Sequence, residues 1–222
     1  MHAEERLDDR EALIARLAGE GYLTDPRLEE AMLAVPRHSF LPADLQDEAY
    51  EDKPLPVGLG QTISAPHMVA MMTSALQVAA GDSVLEVGTG RGYHAAVLKA
   101  MAGDGEVCSI EFLVPLAQQA QANLDEAGFK VRVLQRDGAE GAPEFAPFDA
   151  VIVTCAIPEI PDALVQQLRE GGHFVAPLGT TKCMLKAGIK RDGRLVLDDL
   201  GPCLFVNAQG DLGGDDMMQP AP

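Results

Sequence analysis

Gln61, Thr62 and Ser64 form a polar triplet directly before a predicted helix, within the segment GLGQTISAPHMVAMM at positions 58–72. A nucleophilic serine needs an adjacent base to activate it, and no obviously basic residue stands beside Ser64. The triplet therefore indicates a role for the hydroxyl other than direct attack. One alternative is purely structural, because serine at this place can cap the helix that begins there.

A glycine-rich loop, GTGRG, places Gly88, Gly90 and Gly92 between a predicted strand and a predicted helix. Glycine permits a tight turn and lets a ligand approach backbone N–H groups at a helix N-terminus. The spacing is GxGxG, and Tyr93 stands where the dinucleotide fingerprint GxGxxG has its third glycine. The loop predicts a bound ligand and disfavours NAD.

Acidic residues follow the next two predicted strands. Glu111 ends EVCSIE (106–111), where related folds place the acceptor for ribose hydroxyls, and Asp137 follows VRVLQ (131–135). Asp137 could accept a hydrogen bond from an adenine amino group. Because ligands collect at the carboxyl ends of parallel strands, the glycine loop and the two acids together predict a nucleoside site.

Alternating strands and helices must position these residues. The β-rich runs are SVLEVG (83–88), EVCSIE, VRVLQ, FDAVIVT (148–154) and GHFVAPLG (172–179), and helical stretches separate them near 92–101, 115–127 and 161–169. This alternation predicts an α/β fold with a mostly parallel sheet, helices on both faces and a binding crevice at the strand ends.

Different patterns flank this region. Two helices are predicted near the N-terminus, the second capped by Asp25 with Pro26 in its first turn. After position 180 an antiparallel hairpin is predicted with a turn at Asp192-Gly193. The expected organisation is an N-terminal helical extension with a substrate and cofactor loop (1–80), a ligand-binding core ending in antiparallel strands (81–206), and a mobile acidic tail (207–222).

Composition limits the partners. The 34 acidic residues against 17 basic ones give a net charge of −17, which opposes binding to nucleic acid and to anionic membranes. The 4 cysteines form no CxxC pair and lie near no histidine cluster, so neither a zinc site nor a disulfide framework is indicated. No apolar run approaches the ~18 residues that span a bilayer. We expect a cytoplasmic monomer without a metal.

The same segments resemble a known family. The glycine loop, Glu111 and the run at 147–179 are similar to class I S-adenosylmethionine-dependent methyltransferases. Within that class, AVPRHSFLP (34–42), PLPVGLGQTISAPHMVA (54–70), VLEVGTGRGY (84–93) and DAVIVTCAIPEIP (149–161) resemble the protein-L-isoaspartate O-methyltransferases. The similarity covers about positions 5 to 206 and implies a Rossmann-like fold with a seven-stranded sheet.

The resemblance also implies a reaction. Members of this family use S-adenosyl-L-methionine to methylate the α-carboxylate of L-isoaspartyl residues in damaged proteins or peptides, with S-adenosyl-L-homocysteine as the product. The ester closes to a succinimide, whose hydrolysis returns some normal aspartate. A carboxylate with a pKa of about 4 is already ionised at neutral pH, so the enzyme needs no base to activate it.

Residue roles follow by position. Ser64 would orient the substrate carboxylate, with His67 and Val206 as further substrate contacts. The cofactor-binding residues implied by the match are Gln61, Thr62, Ile63, Glu86, Gly88, Thr89, Gly90, Glu111, Phe112, Asp137 and Gly138. For Glu86 a second interpretation is an acid that only braces the loop, and for His67 a packing role is equally open.

One segment departs from the family pattern. Family members carry an F-V-P-L type segment after the final strands, whereas this chain has FVNAQG at 205–210. The departure leaves two alternatives open. One is a carboxylate methyltransferase specialised for an aspartate in a modified peptide natural product, and the other is a cofactor-binding module without turnover.

Overall fold

The computed structural model describes residues 6–180 and 182–214. Two helices open this part of the chain, α1 (Leu7–Gly19) and α2 (Pro26–Ala34). The carboxylate of Asp25 accepts a hydrogen bond from the backbone N–H of Arg27, which confirms the predicted cap. A short hairpin follows, β1 (Leu55–Gly58) and β2 (Gln61–Ile63), and helix α3 (Pro66–Leu76) begins just after it.

Strands and helices then alternate as the sequence predicts. Their order is β3 (Val84–Val87), α4 (Tyr93–Ala102), β4 (Val107–Glu111), α5 (Val114–Ala127), β5 (Arg132–Gln135), β6 (Phe148–Val153), α6 (Asp162–Gln167) and β7 (Leu168–Leu178). Helix α6 ends earlier than predicted, because Leu168 already pairs with Phe148 as the first residue of β7.

An antiparallel hairpin completes the sheet, formed by β8 (Cys183–Arg191) and β9 (Arg194–Cys203). The turn residues Asp192 and Gly193 have φ values of 51° and 75°. Positive φ at both central residues matches the twist of the flanking strands, which is why an Asp-Gly pair favours this turn. The predicted hairpin is therefore confirmed.

The seven-stranded sheet has the order β5-β4-β3-β6-β7-β8-β9, and the first five of these strands run parallel. Chain order reverses direction between β3 and β6, so the crevice at their carboxyl ends is the expected ligand site of such a sheet. The predicted α/β architecture with a mostly parallel seven-stranded sheet is confirmed.

Apolar side chains cover both faces of the sheet. Val84 faces one core, whereas its neighbours Leu85 and Val87 face the other. The first core also contains apolar residues of α1, α2 and α3. These helices therefore pack on the face of the sheet to which Val84 contributes. Strands buried on both sides explain the nearly continuous apolar runs in the sequence.

The segment that follows β9 does not form the tail that composition predicted. Ala208 and Leu212 are buried in the second core, and residues Gly210–Gly213 form a short 3₁₀ helix. The backbone N–H of Ala208 donates to the carbonyl of Ala156 at 2.9 Å. The mobile tail is thus wrong for 207–214, because two apolar residues and paired backbone groups suffice to dock it. Residues 215–222 lie outside the described residues.

None of the helices in the described part of the chain is both long enough and apolar enough to cross a membrane.

Candidate active site

A cleft of about 580 Å³ opens at the carboxyl ends of β3, β4 and β6. Residues from the loops after these strands line it, together with the hairpin residues before α3 and the segment after β9. Eight of the residues singled out from the sequence are in this lining: Gln61, Thr62, Gly88, Gly90, Glu111, Phe112, Gly138 and Val206.

The glycine loop after β3 is shaped by two different constraints. Gly88 has a φ of 107°, and a Cβ there would collide with the hydroxyl of Thr154, which donates to the Gly88 carbonyl at 2.6 Å. Gly90 has a φ of 57°, and a Cβ there would meet no atom within 4 Å. Gly88 therefore permits close packing against β6, and Gly90 leaves the loop backbone accessible from the cleft.

Glu111 links the ends of β3 and β4. One carboxylate oxygen accepts the N–H of Gly90 at 2.8 Å, and the other accepts the N–H of Leu113 at 3.0 Å. Burial raises the pKa of Glu111 above its ordinary value, whereas these backbone hydrogen bonds lower it. Each carboxylate oxygen can accept a second hydrogen bond, so Glu111 can also receive hydroxyl groups of a ligand in the cleft.

Glu86 lies beneath the glycine loop and is not among the described residues that line the cleft. Its carboxyl group is fully buried and accepts a hydrogen bond from Ser109, whose hydroxyl lies 2.6 Å from that of Thr89. Burial raises the pKa of Glu86 to about 8, and nearby Glu111 adds to the effect. Glu86 is therefore linked to Thr89 of the loop through Ser109, a contact that agrees with the second interpretation of Glu86.

Asp137 serves the backbone around the cleft. Its carboxylate accepts N–H groups from Ala139 at 2.8 Å, from Asp211 at 2.7 Å and from Leu212 at 3.3 Å. These bonds hold the turn after β5 against the segment that follows β9. Gly138 lines the cleft, whereas Asp137 is outside the lining formed by the described residues.

Among the described residues, two members of the polar triplet line the cleft and Ser64 does not. Gln61 and Thr62 line the cleft, Ile63 is buried in the first core, and Ser64 is half-buried just before α3. The N-cap residue of α3 is Ala65, and in the described structure no side-chain hydrogen bond is made from that position. The alternative in which Ser64 caps this helix is therefore wrong. The carboxylate of Asp52 instead accepts the N–H of His67 at 2.9 Å.

His67 contacts other residues of the N-terminal part rather than the cleft lining seen in the described residues. Its Nδ1 lies 2.9 Å from Oδ1 of Asp52, and its ring centroid is 5.3 Å from that of Tyr22. These contacts agree with the packing role that the sequence left open for His67.

Several lining residues were not assigned to the ligand site from the sequence. Thr154 and Cys155 follow β6, so the rule that ligands collect at strand ends could have identified them. Burial raises the pKa of the Cys155 thiol to about 12, which makes it a poor nucleophile. Leu212 carried no signal, because it is a single apolar residue within a run of Gly and Asp.

Comparison with known proteins gives one consistent family. A family model described as protein-L-isoaspartate(D-aspartate) O-methyltransferase matches residues 8–213. The chain is 46% identical to a protein-L-isoaspartate O-methyltransferase of Methanopyrus kandleri, over 92% of each chain. It is 42% identical to the enzyme of that name from Methanoculleus marisnigri, over 99% of this chain and 100% of the relative.

Solved structures agree in fold. One titled protein-L-isoaspartate O-methyltransferase superposes with a TM-score of 0.86 and 32% identity, over 92% of this chain and 67% of that one. A Plasmodium falciparum structure, solved in complex with S-adenosyl-L-homocysteine, has a TM-score of 0.80 over 90% of this chain and 98% of that one. Its identity of 24% supports likeness of fold alone.

Proposed function

This chain belongs to the protein-L-isoaspartate O-methyltransferase family, and from that premise we propose how its residues carry out the reaction. The enzyme transfers a methyl group from S-adenosyl-L-methionine to the α-carboxylate of L-isoaspartyl residues in damaged proteins or peptides. The observation that carries this function is the family match over residues 8–213, which spans all of the cleft residues.

The cleft fits the cofactor. Its lining consists mostly of apolar residues and glycines with a few polar side chains, as is usual for small-molecule sites. Apolar residues such as Ile110, Phe112 and Leu212 can sandwich a purine ring, and Glu111 offers carboxylate oxygens to ribose hydroxyls. When bound, S-adenosyl-L-methionine supplies a methyl group activated by its sulfonium centre.

The residues that would hold this cofactor come from four segments. Glu111 would accept the ribose hydroxyls, while the loop at Gly88 and Gly90 would present its backbone. Gly138 would lie beside the adenine, and Asp137 would act there by holding the backbone around it.

Gln61 and Thr62, with Ile63 anchored in the core, would cover the cofactor from the opposite wall. Glu86 and Thr89 would act through the loop they brace.

The chain's task in the chemical step is alignment. The substrate carboxylate is the nucleophile and is already ionised at neutral pH, so no residue needs to remove a proton. We assign to Ser64 the role of donating a hydrogen bond to one carboxylate oxygen, which leaves the other directed at the methyl group. Positioning of this kind contributes several kcal/mol to catalysis. Val206, in the wall formed after β9, is the substrate contact that the cleft supports.

The alternatives are not favoured. Relatives aligned along nearly the whole chain are named for isoaspartate methylation. The segment at 205–210, which departs from the family pattern, still contributes residues to the cleft wall.

A labelled-methyl assay tests the function. Purified enzyme with labelled S-adenosyl-L-methionine should methylate an isoaspartyl peptide. Calorimetric binding of the cofactor without methyl transfer to any peptide would instead identify a binding module.

We further propose that the enzyme acts as a monomer in the cytoplasm and has no nucleic-acid partner. The net charge of −17 supports the last point, since it opposes binding to phosphate backbones. The free cysteines among the described residues, Cys108, Cys155, Cys183 and Cys203, are compatible with a reducing compartment. Sedimentation analysis of the purified protein would test the monomer.

A further inference from the structure

Asp52 bridges two parts of the chain that are adjacent only in the folded protein. It lies in the loop before β1, yet its carboxylate reaches the first turn of α3. Oδ1 accepts the backbone N–H of His67 at 2.9 Å, and His67 Nδ1 lies 2.9 Å and 3.0 Å from the two carboxylate oxygens. The Asp52 side chain is 17% exposed and that of His67 is 30% exposed, so the contact is partly shielded from solvent.

Helix α3 depends on this contact because it has no cap of its own. The N–H groups of a first helical turn lack partners within the helix, and an alanine N-cap has no side-chain acceptor to supply one. Asp52 supplies an acceptor from outside and places a negative charge at the positive end of the helix dipole. The start of α3 is therefore fixed by a residue outside the helix.

The same contact closes a loop that contains Ser64. Asp52 leads through two residues to β1, which pairs with β2 by the register Leu55–Ile63. Ser64 and Ala65 alone separate the end of β2 from the start of α3. Ser64 is thus held on one side by the hairpin and on the other by the first turn that Asp52 clamps.

Asp52 also interacts with a buried cation, Arg37. Burial lowers the pKa of Arg37 to about 10, and Asp52 is among the groups that oppose this shift. The buried guanidinium and the Asp52 carboxylate therefore attract each other.

We propose that Asp52 is a positioning residue for methyl transfer, acting on the Ser64 hydroxyl through the first turn of α3. This inference rests on the proposed role of Ser64. Asp52 is not among the lining residues, and its hydrogen bonds in the described structure go to His67 rather than to Ser64; it fixes the backbone from which the hydroxyl projects. Small displacements matter here, since a misplacement of about 1 Å can cost about 100-fold in rate.

Three variants separate positioning from mere stability. Asp52→Ala removes both hydrogen bonds, whereas Asp52→Asn keeps an oxygen that can accept the His67 N–H. Glu51→Ala is the matched control, because this neighbouring acid is exposed and pairs only with Lys53 among the described residues. For each variant kcat and KM for an isoaspartyl peptide, cofactor affinity and the melting temperature are measured.

The expected result is a kcat for Asp52→Ala reduced about tenfold, the scale of one lost hydrogen bond to a charged group. Cofactor affinity should be unchanged, Asp52→Asn should recover most of the rate, and Glu51→Ala should match wild type. Because Asp52 acts through Ser64, the Ser64→Ala/Asp52→Ala double variant should be no slower than Ser64→Ala alone.

Two results would overturn the inference without touching the proposed function. One is an Asp52→Ala enzyme with a lower melting temperature but normal kcat well below it. The other is a double variant whose loss equals the product of the two single losses. If Ser64→Ala itself keeps full turnover, the proposed role of Ser64 and this inference both fall. Absence of methyl transfer by the wild type would instead refute the proposed function.

Discussion

The carboxylate of Glu111 accepts the backbone N–H of Gly90 at 2.8 Å, so the acid that ends β4 holds the loop that follows β3. This bond joins two functions in one side chain. Glu111 fixes the loop that approaches the cofactor and keeps further lone pairs for ribose hydroxyls. Removing its charge should therefore weaken cofactor binding more than it weakens the fold.

Glu111→Gln should lower the affinity for S-adenosyl-L-methionine at least about tenfold, because the amide retains only one acceptor oxygen for two N–H donors. Isothermal titration calorimetry measures this directly. Glu106→Gln is the control, since this exposed acid lies beside the opposite end of β4. Equal affinities of the Glu111→Gln variant and wild type would contradict the assignment.

Gly88→Ala should be more damaging than Gly90→Ala. Both residues have positive φ, which costs a non-glycine residue about 1–2 kcal/mol. At Gly88 the added methyl would also collide with Thr154, whereas at Gly90 it would meet open space. Denaturant unfolding of the two variants tests the order, and an equal or greater loss for Gly90→Ala would show that the Thr154 contact is unimportant.

Glu86→Gln should change how stability depends on pH. The pKa of Glu86 is about 8 in the folded protein against an ordinary value of 4.5, so the native state retains a proton that the unfolded chain releases. The free energy of unfolding of wild type therefore falls as pH rises from 4.5 to about 8, by at most about 1.4 kcal/mol per pH unit.

Glutamine cannot ionise, so this contribution is lost in the variant. Relative to wild type, Glu86→Gln should be more stable at pH 8 than at pH 5. Urea unfolding across that interval measures the difference, with Glu106→Gln as an exposed control for the lost charge. Parallel curves for the Glu86→Gln variant and wild type would mean that Glu86 is ionised in the native state at neutral pH.

Sequence periodicity was sufficient for the sheet and for the strand-end residues, since Gly88, Gly90 and Glu111 are placed by local chain order alone. Periodicity did not predict the features that depend on contacts between distant parts of the chain. The loop-bracing role of Glu86 depends on Ser109 in a neighbouring strand, and the capping of α3 depends on Asp52, fifteen residues before His67. Neither contact has a local pattern.

Leu212 illustrates the same limit and provides a test. It is 6% exposed, lines the cleft and packs in the second core, although its sequence surroundings predicted a tail. Leu212→Ala should lower the free energy of unfolding by about 2–4 kcal/mol and weaken cofactor binding. Leu204→Ala, at a leucine that is 86% exposed, should change stability by less than about 0.5 kcal/mol. Similar effects of both substitutions would mean that the segment after β9 is not docked.

The most direct test of the proposed function compares two peptides that differ only in one linkage. One contains an L-isoaspartyl residue and its twin contains normal aspartate in the same flanking sequence. The enzyme should transfer labelled methyl from S-adenosyl-L-methionine to the isoaspartyl peptide, and Ser64→Ala should reduce that turnover about tenfold or more. Methylation of the normal aspartyl twin at the same kcat/KM would contradict isoaspartate methylation as the function of this enzyme.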